Sequence, residues 1–376
     1  MKTVLDRFLS YVAIDTQSEY NPKTFPSTEK QKDLSRLLVE ELKELGVEDV
    51  YLAENGCVYG KLPANYENCS APSIGFSAHV DTTPELTGKN VKPRIIKNYD
   101  GKDIVLNEKE NIVMKVSKFP HLKNYIGNDL VVTDGTTLLG ADDKAGIAEI
   151  MSMIQYFHDN PDVRHGELQF FFTTDEEVGC FGAKNLDKSR FNPDFAYTLD
   201  AGPIGEITYE CFNAAEARVK INGINIHPGL AKNKMKNAIL IAKEFLNMLP
   251  DAETPAHTEN YEGYYHVIEF HGEVELTNLK FYLRDHDKQK FQARKDRIKE
   301  ISQFLNKVYG ENTVEYEIID TYSNISEVIL PRFEIVEAIQ DAMRSEGVEP
   351  FFTPMRGGTD GSVISFMGIP TPNICT

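Results

Sequence analysis

Residues 170–179 read FFFTTDEEVG. Side chains on a strand alternate between faces, so three consecutive phenylalanines require a strand buried on both sides. Asp175, Glu176 and Glu177 stand at its end. Adjacent carboxylates repel one another and resist burial, so folding alone gives no reason to place three of them there. The stretch therefore implies a sheet covered on both faces, and an acidic corner that needs a positive charge.

Other strand-like runs end the same way. IGFSAHVDT (74–82) places His79 and Asp81 just past a strand, LLGADDKAG (138–146) places Asp142 and Asp143 at a strand-to-helix turn, and YTLDAG (197–202) ends in Asp200. Sites in open α/β sheets form outside the carboxyl ends of the strands. If these strands are parallel neighbours, one imidazole and several carboxylates converge on one crevice. A divalent cation is the counter-charge that stabilises such a set. Imidazole with carboxylates suits zinc, manganese or cobalt, whereas pure oxygen sites suit magnesium or calcium. Each motif alone has an ordinary structural reading: a strand-end carboxylate as helix cap or solvated turn, a single histidine as a satisfied structural residue. Their succession, HVD, ADDK, DEE and LD, points to a binuclear, carboxylate-rich metal site. Rival chemistries lack their motifs. GFSAH carries His79 where a nucleophile elbow needs its second glycine, and neither a G-x-x-x-x-G-K-[ST] loop nor a G-x-G-x-x-G after a strand occurs.

Around these motifs the hydrophobic pattern is helical from 3 to 46. The run STEKQKDLSRLLVEELKELG (27–46) opens at Ser27 and stops at Gly46. Strand patterns follow at 49–53, 57–62 and 73–78, then an inserted hairpin region at 89–127 with YDGKD (99–103) as its turn. DLVVTD (129–134) leads into a helix at about 143–158, whose Ile147, Ile150, Met151, Ile154 and Phe157 keep helical spacing. Strands alternating with helices predict an α/β fold with a mixed or parallel sheet. Residues 211–321 change character, running β-α-β-β-α-β, the split pattern of a small, ferredoxin-like α+β domain. The expected organisation is a discontinuous catalytic domain (1–210 and 322–376) interrupted by that smaller domain.

Composition narrows the partners. Of 376 residues 41% are hydrophobic and 26% charged, and the net charge is −18. That balance excludes a basic grip on nucleic acid or an anionic membrane. Five cysteines, at 57, 69, 180, 211 and 375, are odd in number and form no C-x-x-C pair, which argues against a disulfide framework. MKTVLDRFLSYVAIDT carries Asp6 and Arg7 inside its apolar pattern and reads as an amphipathic helix, not a signal peptide. No apolar run reaches the roughly 18 residues a membrane span needs. A reducing cytoplasm is the expected compartment.

HVD, GADDKAG, DEEVG and YTLD, followed by HPGLAKNKMKNA (227–238), YLRDHD (282–287) and RGGTDG (356–361), stand in an order that resembles the zinc exopeptidases, the family that includes desuccinylases and aminoacylases. The likeness spans essentially the whole chain. It implies a zinc-exopeptidase α/β domain with an inserted ferredoxin-like dimerisation domain. The implied activity is a metallo-aminopeptidase releasing the N-terminal residue of tripeptides; hydrolysis of N-acyl amino acids by a related amidohydrolase, or a truncated form with little activity, is the alternative. Two Zn2+ per subunit are implied, His79, Asp142 and Asp200 holding the first, and Asp142 with Glu177 the second. Asp81 would orient His79, and Glu176 would be the general base. A cis Asp142–Asp143 peptide belongs to the same pattern. His227 would stabilise the oxyanion across a homodimer formed through residues 211–321, and Arg284 and Arg356 would grip the peptide. The family's last ligand of the second zinc is a histidine beyond the segment matching PNICT, and the seven other histidines here (121, 158, 165, 257, 266, 271 and 286) lie outside that motif. The expectation is a well-held first zinc and a weakly held second.

Overall fold

The computed structural model describes residues 2–376. The chain divides into two compact units, one comprising the chain up to Ile207 with Glu334–Phe351 and Thr359–Thr376, the other Thr208–Phe333 with Phe352–Gly358.

The first unit is organised by an eight-stranded sheet in the order Glu48–Leu52, Val58–Leu62, Leu168–Thr173, Ile74–His79, Phe195–Ala201, Asn373–Cys375, Glu206–Thr208 and Phe351–Phe352. The strands from Leu168–Thr173 to Asn373–Cys375 run parallel, and the first two pair antiparallel at one edge. All six residues of Leu168–Thr173 are buried, as its apolar run requires. On one face Phe171 lies between Tyr59 and Phe191, with ring centroids 4.9 and 5.3 Å away. Helix Ala141–Asp159 packs on strands Ile74–His79 and Phe195–Ala201. Gly146 permits that approach, because a Cβ there would stand 2.3 Å from the Leu199 carbonyl oxygen. Parallel order brings the carboxyl ends carrying His79, Thr173 and Asp200 to one edge.

Two local expectations are corrected. The helical pattern from 3 to 46 is two helices, Val4–Val12 and Gln31–Glu44. Ser27 does not open the second; its backbone N–H and hydroxyl donate to the buried Asp175 carboxylate at 2.7 and 2.5 Å instead. YDGKD is a bend, but the strands flanking it do not pair with each other: Arg94–Ile96 pairs with Leu130–Val132, and Ile104–Asn107 pairs with Ile112–Met114. The hairpin closes at residues 108–111, where Asn111 takes the left-handed φ of 54°.

The second unit is a four-stranded antiparallel sheet ordered Tyr264–Gly272, Leu276–Asp285, Asn213–Asn222 and Val314–Tyr322, with helices Ala238–Asn247 and Lys288–Tyr309 packed on it. That is the ferredoxin-like order. Alternation builds its core: Ala215, Ala217, Val219 and Ile221 alternate inward, meeting Leu279, Phe281, Leu283, Phe245 and Ile298. Asn237 and Asp287 cap the two helices through their side chains. The unit extends past residue 321 because Asn324, buried, accepts from the Cys211 N–H and donates to the His286 carbonyl. No described helix is long and apolar enough to cross a membrane.

Candidate metal centre

His79 ends its strand at 2% exposure. Its Nε2 lies 2.9 Å from Asp142 Oδ1 and 3.8 Å from Asp200 Oδ1, and its Nδ1 lies 3.0 Å from the Asp81 carbonyl oxygen and 3.4 Å from Asp81 Oδ1. A carbonyl can only accept, so Nδ1 keeps its proton and Nε2 is the atom that faces the acids. Burial disfavours the cation, but hydrogen bonds to Asp142 and Asp81 and the field of Asp200 overcome it, holding this imidazole well above its ordinary range.

Asp81 is fully buried and accepts from the Glu176 N–H at 3.0 Å and the Glu177 N–H at 3.3 Å. One residue thus fixes both the imidazole, through its backbone carbonyl, and the acidic loop, through its carboxylate. Asp143, also buried, accepts from the His79 N–H at 3.0 Å and the Gly146 N–H at 3.3 Å, tying the first turn of the helix to the strand. The Asp142–Asp143 peptide is cis. Asp142 is open to solvent, its side chain 70% exposed, while Asp200 is nearly buried.

The acids are crowded. Burial and the neighbouring carboxylates Asp142, Asp360 and Glu177 lift Asp200 to about 8, against the imidazolium. Burial lifts Glu177 to about 7, and Glu176 stands well above its ordinary range for the same reason, with Asp200, Asp360 and Asp81 adding to it. Burial likewise lifts Asp360 to about 6. A single imidazolium does not neutralise this set. His79, Asp142 and Asp200 each present one donor atom, all within 4.8 Å of one another. Excess buried negative charge around one imidazole and two converging carboxylates fits a divalent cation.

The expected site residues divide as follows. His79, Asp142 and Asp200 are gathered, with Asp81 behind them. Glu177 is not among the donor atoms so gathered, although its charge acts on Asp200. Glu176 meets Cys180 and Asp360. Asp175 has a structural role: Ser27 and Gln31 hold it. On the second unit His227 is exposed and its Nδ1 accepts from the Gly229 N–H at 3.2 Å. Arg284 donates from Nη1 to the carbonyls of Ala215 and Leu283, beside the rings of Tyr282 and Tyr322. Arg356 donates from Nη1 to the Asn260 and Glu262 carbonyls and from Nη2 to Thr258 Oγ1. No role was expected of Cys180 or Asp360, and Asp143, expected among the converging acids, instead ties the helix to the strand. Asp360, in RGGTDG, opens helix Asp360–Phe366 and is 1% exposed; the only signal it offered was an acid at a helix start.

A profile described as peptidase dimerisation domain matches residues 209–313, and one described as M42 glutamyl aminopeptidase matches residues 128–238. Peptidase T of Caldanaerobacter subterraneus subsp. tengcongensis is 54% identical over 376 residues, covering all of this chain and 91% of its own length. Peptidase T of Halothermothrix orenii is 52% identical over 376 residues, covering 92% of its own length. The chain belongs to the peptidase T family. Membership in the peptidase T family makes it a hydrolase of peptide bonds. The crystal structure of aminopeptidase PepT from Bacillus cereus ATCC 10987 superposes with a TM-score of 0.76 at 24% identity, covering 99% of this chain and 89% of that one. A Bacillus subtilis protein described as a dinuclear metal-binding peptidase of the M20 family shares the fold at a TM-score of 0.60 and 13% identity, covering 98% of this chain and 88% of that one.

Proposed function

We propose that the chain is a zinc-dependent aminopeptidase that releases the N-terminal residue of tripeptides. The observation that carries this reading is the gathering of His79, Asp142 and Asp200, with a half-buried acid, Glu176, on the loop that Asp81 holds. His79, Asp142 and Asp200 would hold the first ion, and Asp142 with Glu177 the second. When bound, the metal supplies Lewis acidity, lowering the pKa of a water and polarising the scissile carbonyl.

The remaining steps belong to the side chains. Asp81 holds the backbone of Glu176 and Glu177, which fixes the base against the ligands. Glu176 takes a proton from the attacking water and returns it to the departing amine, and desolvation with the neighbouring carboxylates raises its proton affinity above that of an ordinary glutamate. His227 accepts at Nδ1, so its neutral ring carries the proton on Nε2, the donor an oxyanion needs. Arg284 spends Nη1 on backbone carbonyls and keeps Nε and Nη2 for a substrate carboxylate. Arg356 uses both terminal nitrogens on the 258–262 loop, so it positions that loop. The match to a peptidase dimerisation domain over 209–313 supports a homodimer formed through residues 211–321. A cytoplasmic location agrees with five scattered cysteines that form no C-x-x-C pair.

Side-by-side hydrolysis of a tripeptide, a dipeptide and an N-acyl amino acid tests the substrate, and fastest turnover of the N-acyl compound would overturn the peptidase assignment in favour of an amidohydrolase. Glu176→Gln keeps the shape and removes the base; kcat is expected to fall by about 10²- to 10⁴-fold with metal content unchanged.

A further inference from the structure

Beyond the gathered ligands lies a second donor set that shares none of them. The chain leaves strand Leu168–Thr173 through Glu176 and turns sharply, the N–H groups of Gly179 and Cys180 both donating to the Glu176 carbonyl at 2.9 Å. The turn returns the Cys180 thiol to the Glu176 carboxylate, where Sγ donates to Oε1 at 3.6 Å. From the other side comes Asp360, at the start of helix Asp360–Phe366, which packs on helix Phe181–Lys184. Thr173 Oγ1 donates to Asp360 Oδ2. Asp360 Oδ1, in a residue only 1% exposed, has no hydrogen-bond partner among the described residues, with the Cys180 thiol close to the same carboxylate. One donor atom from each of Glu176, Cys180 and Asp360 lies within 4.8 Å of the others.

We propose that Glu176, Cys180 and Asp360 form a separate, inhibitory binding site for a thiophilic divalent cation, zinc in excess or cadmium. The chemistry selects the ion. Two carboxylates and a thiolate suit a borderline or soft dication, whereas manganese and magnesium prefer all-oxygen sets. The buried, unpartnered oxygen of Asp360 supplies the need: a buried acceptor without a donor is costly, and a cation satisfies it. Binding displaces the thiol proton to solvent and leaves thiolate and carboxylates on the metal. Glu176 as a ligand can no longer accept a proton from water. The inhibitory consequence therefore rests on the assignment of Glu176 as general base, while the binding itself does not.

The experiment separates the two. Stripped, reduced protein is titrated with Cd2+ while the ultraviolet thiolate-to-cadmium charge-transfer band is followed, in the parent chain, in Cys180→Ser and in Asp360→Asn. The band is expected at saturation in the parent, absent in Cys180→Ser, and weakened in apparent affinity by at least about tenfold in Asp360→Asn. No band in the parent, or an equal band in Cys180→Ser, overturns the site. Tripeptide turnover is then measured against rising zinc. The half-inhibitory concentration should rise by at least about tenfold in Cys180→Ser, with excess manganese harmless to both proteins. Identical zinc inhibition in the two proteins overturns the inhibitory role. A cadmium band in a protein that hydrolyses no tripeptide supports the site and refutes the substrate assignment instead.

Discussion

Asp81 spends its two carboxylate oxygens on the Glu176 and Glu177 N–H groups while its backbone carbonyl faces His79 Nδ1. An amide in its place has one acceptor oxygen and a donating NH2, which would face an N–H donor. Asp81→Asn is therefore expected to weaken metal affinity by about 10- to 100-fold, read by competition against a fluorescent chelator; unchanged affinity would show that the loop is fixed by other contacts. Glu149, on helix Ala141–Asp159, tests burial in a residue outside the donor groups. Burial raises its carboxyl from 4.5 to about 7. A raised folded pKa means the folded state holds the proton more tightly. The stability this contributes is complete below about pH 4.5 and is lost as pH climbs through 7. Glu149→Gln lacks that loss, so its stability relative to the parent should improve between pH 5 and pH 8.5, by at most about 3 kcal/mol. Urea midpoints of both proteins at the two pH values measure it, and a difference that does not change with pH contradicts the assignment.

Helix Ala141–Asp159 is the element on which the centre depends, because its first turn carries Asp142 and its seat on strand Phe195–Ala201 sets the distance to Asp200. Gly146 makes that seat. A methyl group there meets the Leu199 carbonyl at 2.3 Å and Asp143 Oδ1 at 2.6 Å, so Gly146→Ala must push the helix away. Expected are a loss of about 1–3 kcal/mol in stability and weaker metal binding together, measured by denaturant midpoint and by metal titration. Loss of stability with metal affinity intact would mean that Asp142 reaches the centre independently of the helix. Elements such as these were legible where the cause is local. LQFFFT declares a strand buried on both faces, and Ile147, Ile150, Met151 and Ile154 declare the helix face that is indeed buried. Where the cause is distant, the pattern misleads or is silent. Ser27 looks like a cap but answers Asp175, 148 positions away. Asp360 looks like an ordinary helix start, and its partner Thr173 is 187 positions away. The gathered ligands fell between these cases. The strand-end positions of His79 and Asp200 were visible, whereas Asp142 opens a helix with no strand directly before it, and only parallel pairing of Ile74–His79 with both neighbours brings His79 and Asp200 together.

Across the whole molecule, each unit has a core of its own. Ala215, Val219, Phe245, Phe281 and Ile298 belong to the second unit's core, whereas Cys57, Tyr59, Phe171, Phe191 and Ile364 belong to the first. Every gathered donor, His79, Asp142, Asp200, Glu176, Cys180 and Asp360, belongs to the first unit. A ligand stabilises only the folded part that binds it, by an amount set by its concentration relative to its dissociation constant. We infer that the units unfold as separate cooperative blocks and that metal acts on one of them. Calorimetry should resolve two transitions. Zinc at about 100 times its dissociation constant adds about 2.7 kcal/mol, which raises the first unit's transition by on the order of 5 °C for a block of this size. Chelator should return it, and the second unit's transition should stay in place throughout. A variant carrying Phe281→Ala, which empties part of the second core, should lower only the metal-insensitive transition. If both transitions rise together with zinc, or the Phe281→Ala change lowers the metal-sensitive one equally, the two cores are one cooperative block and the division fails.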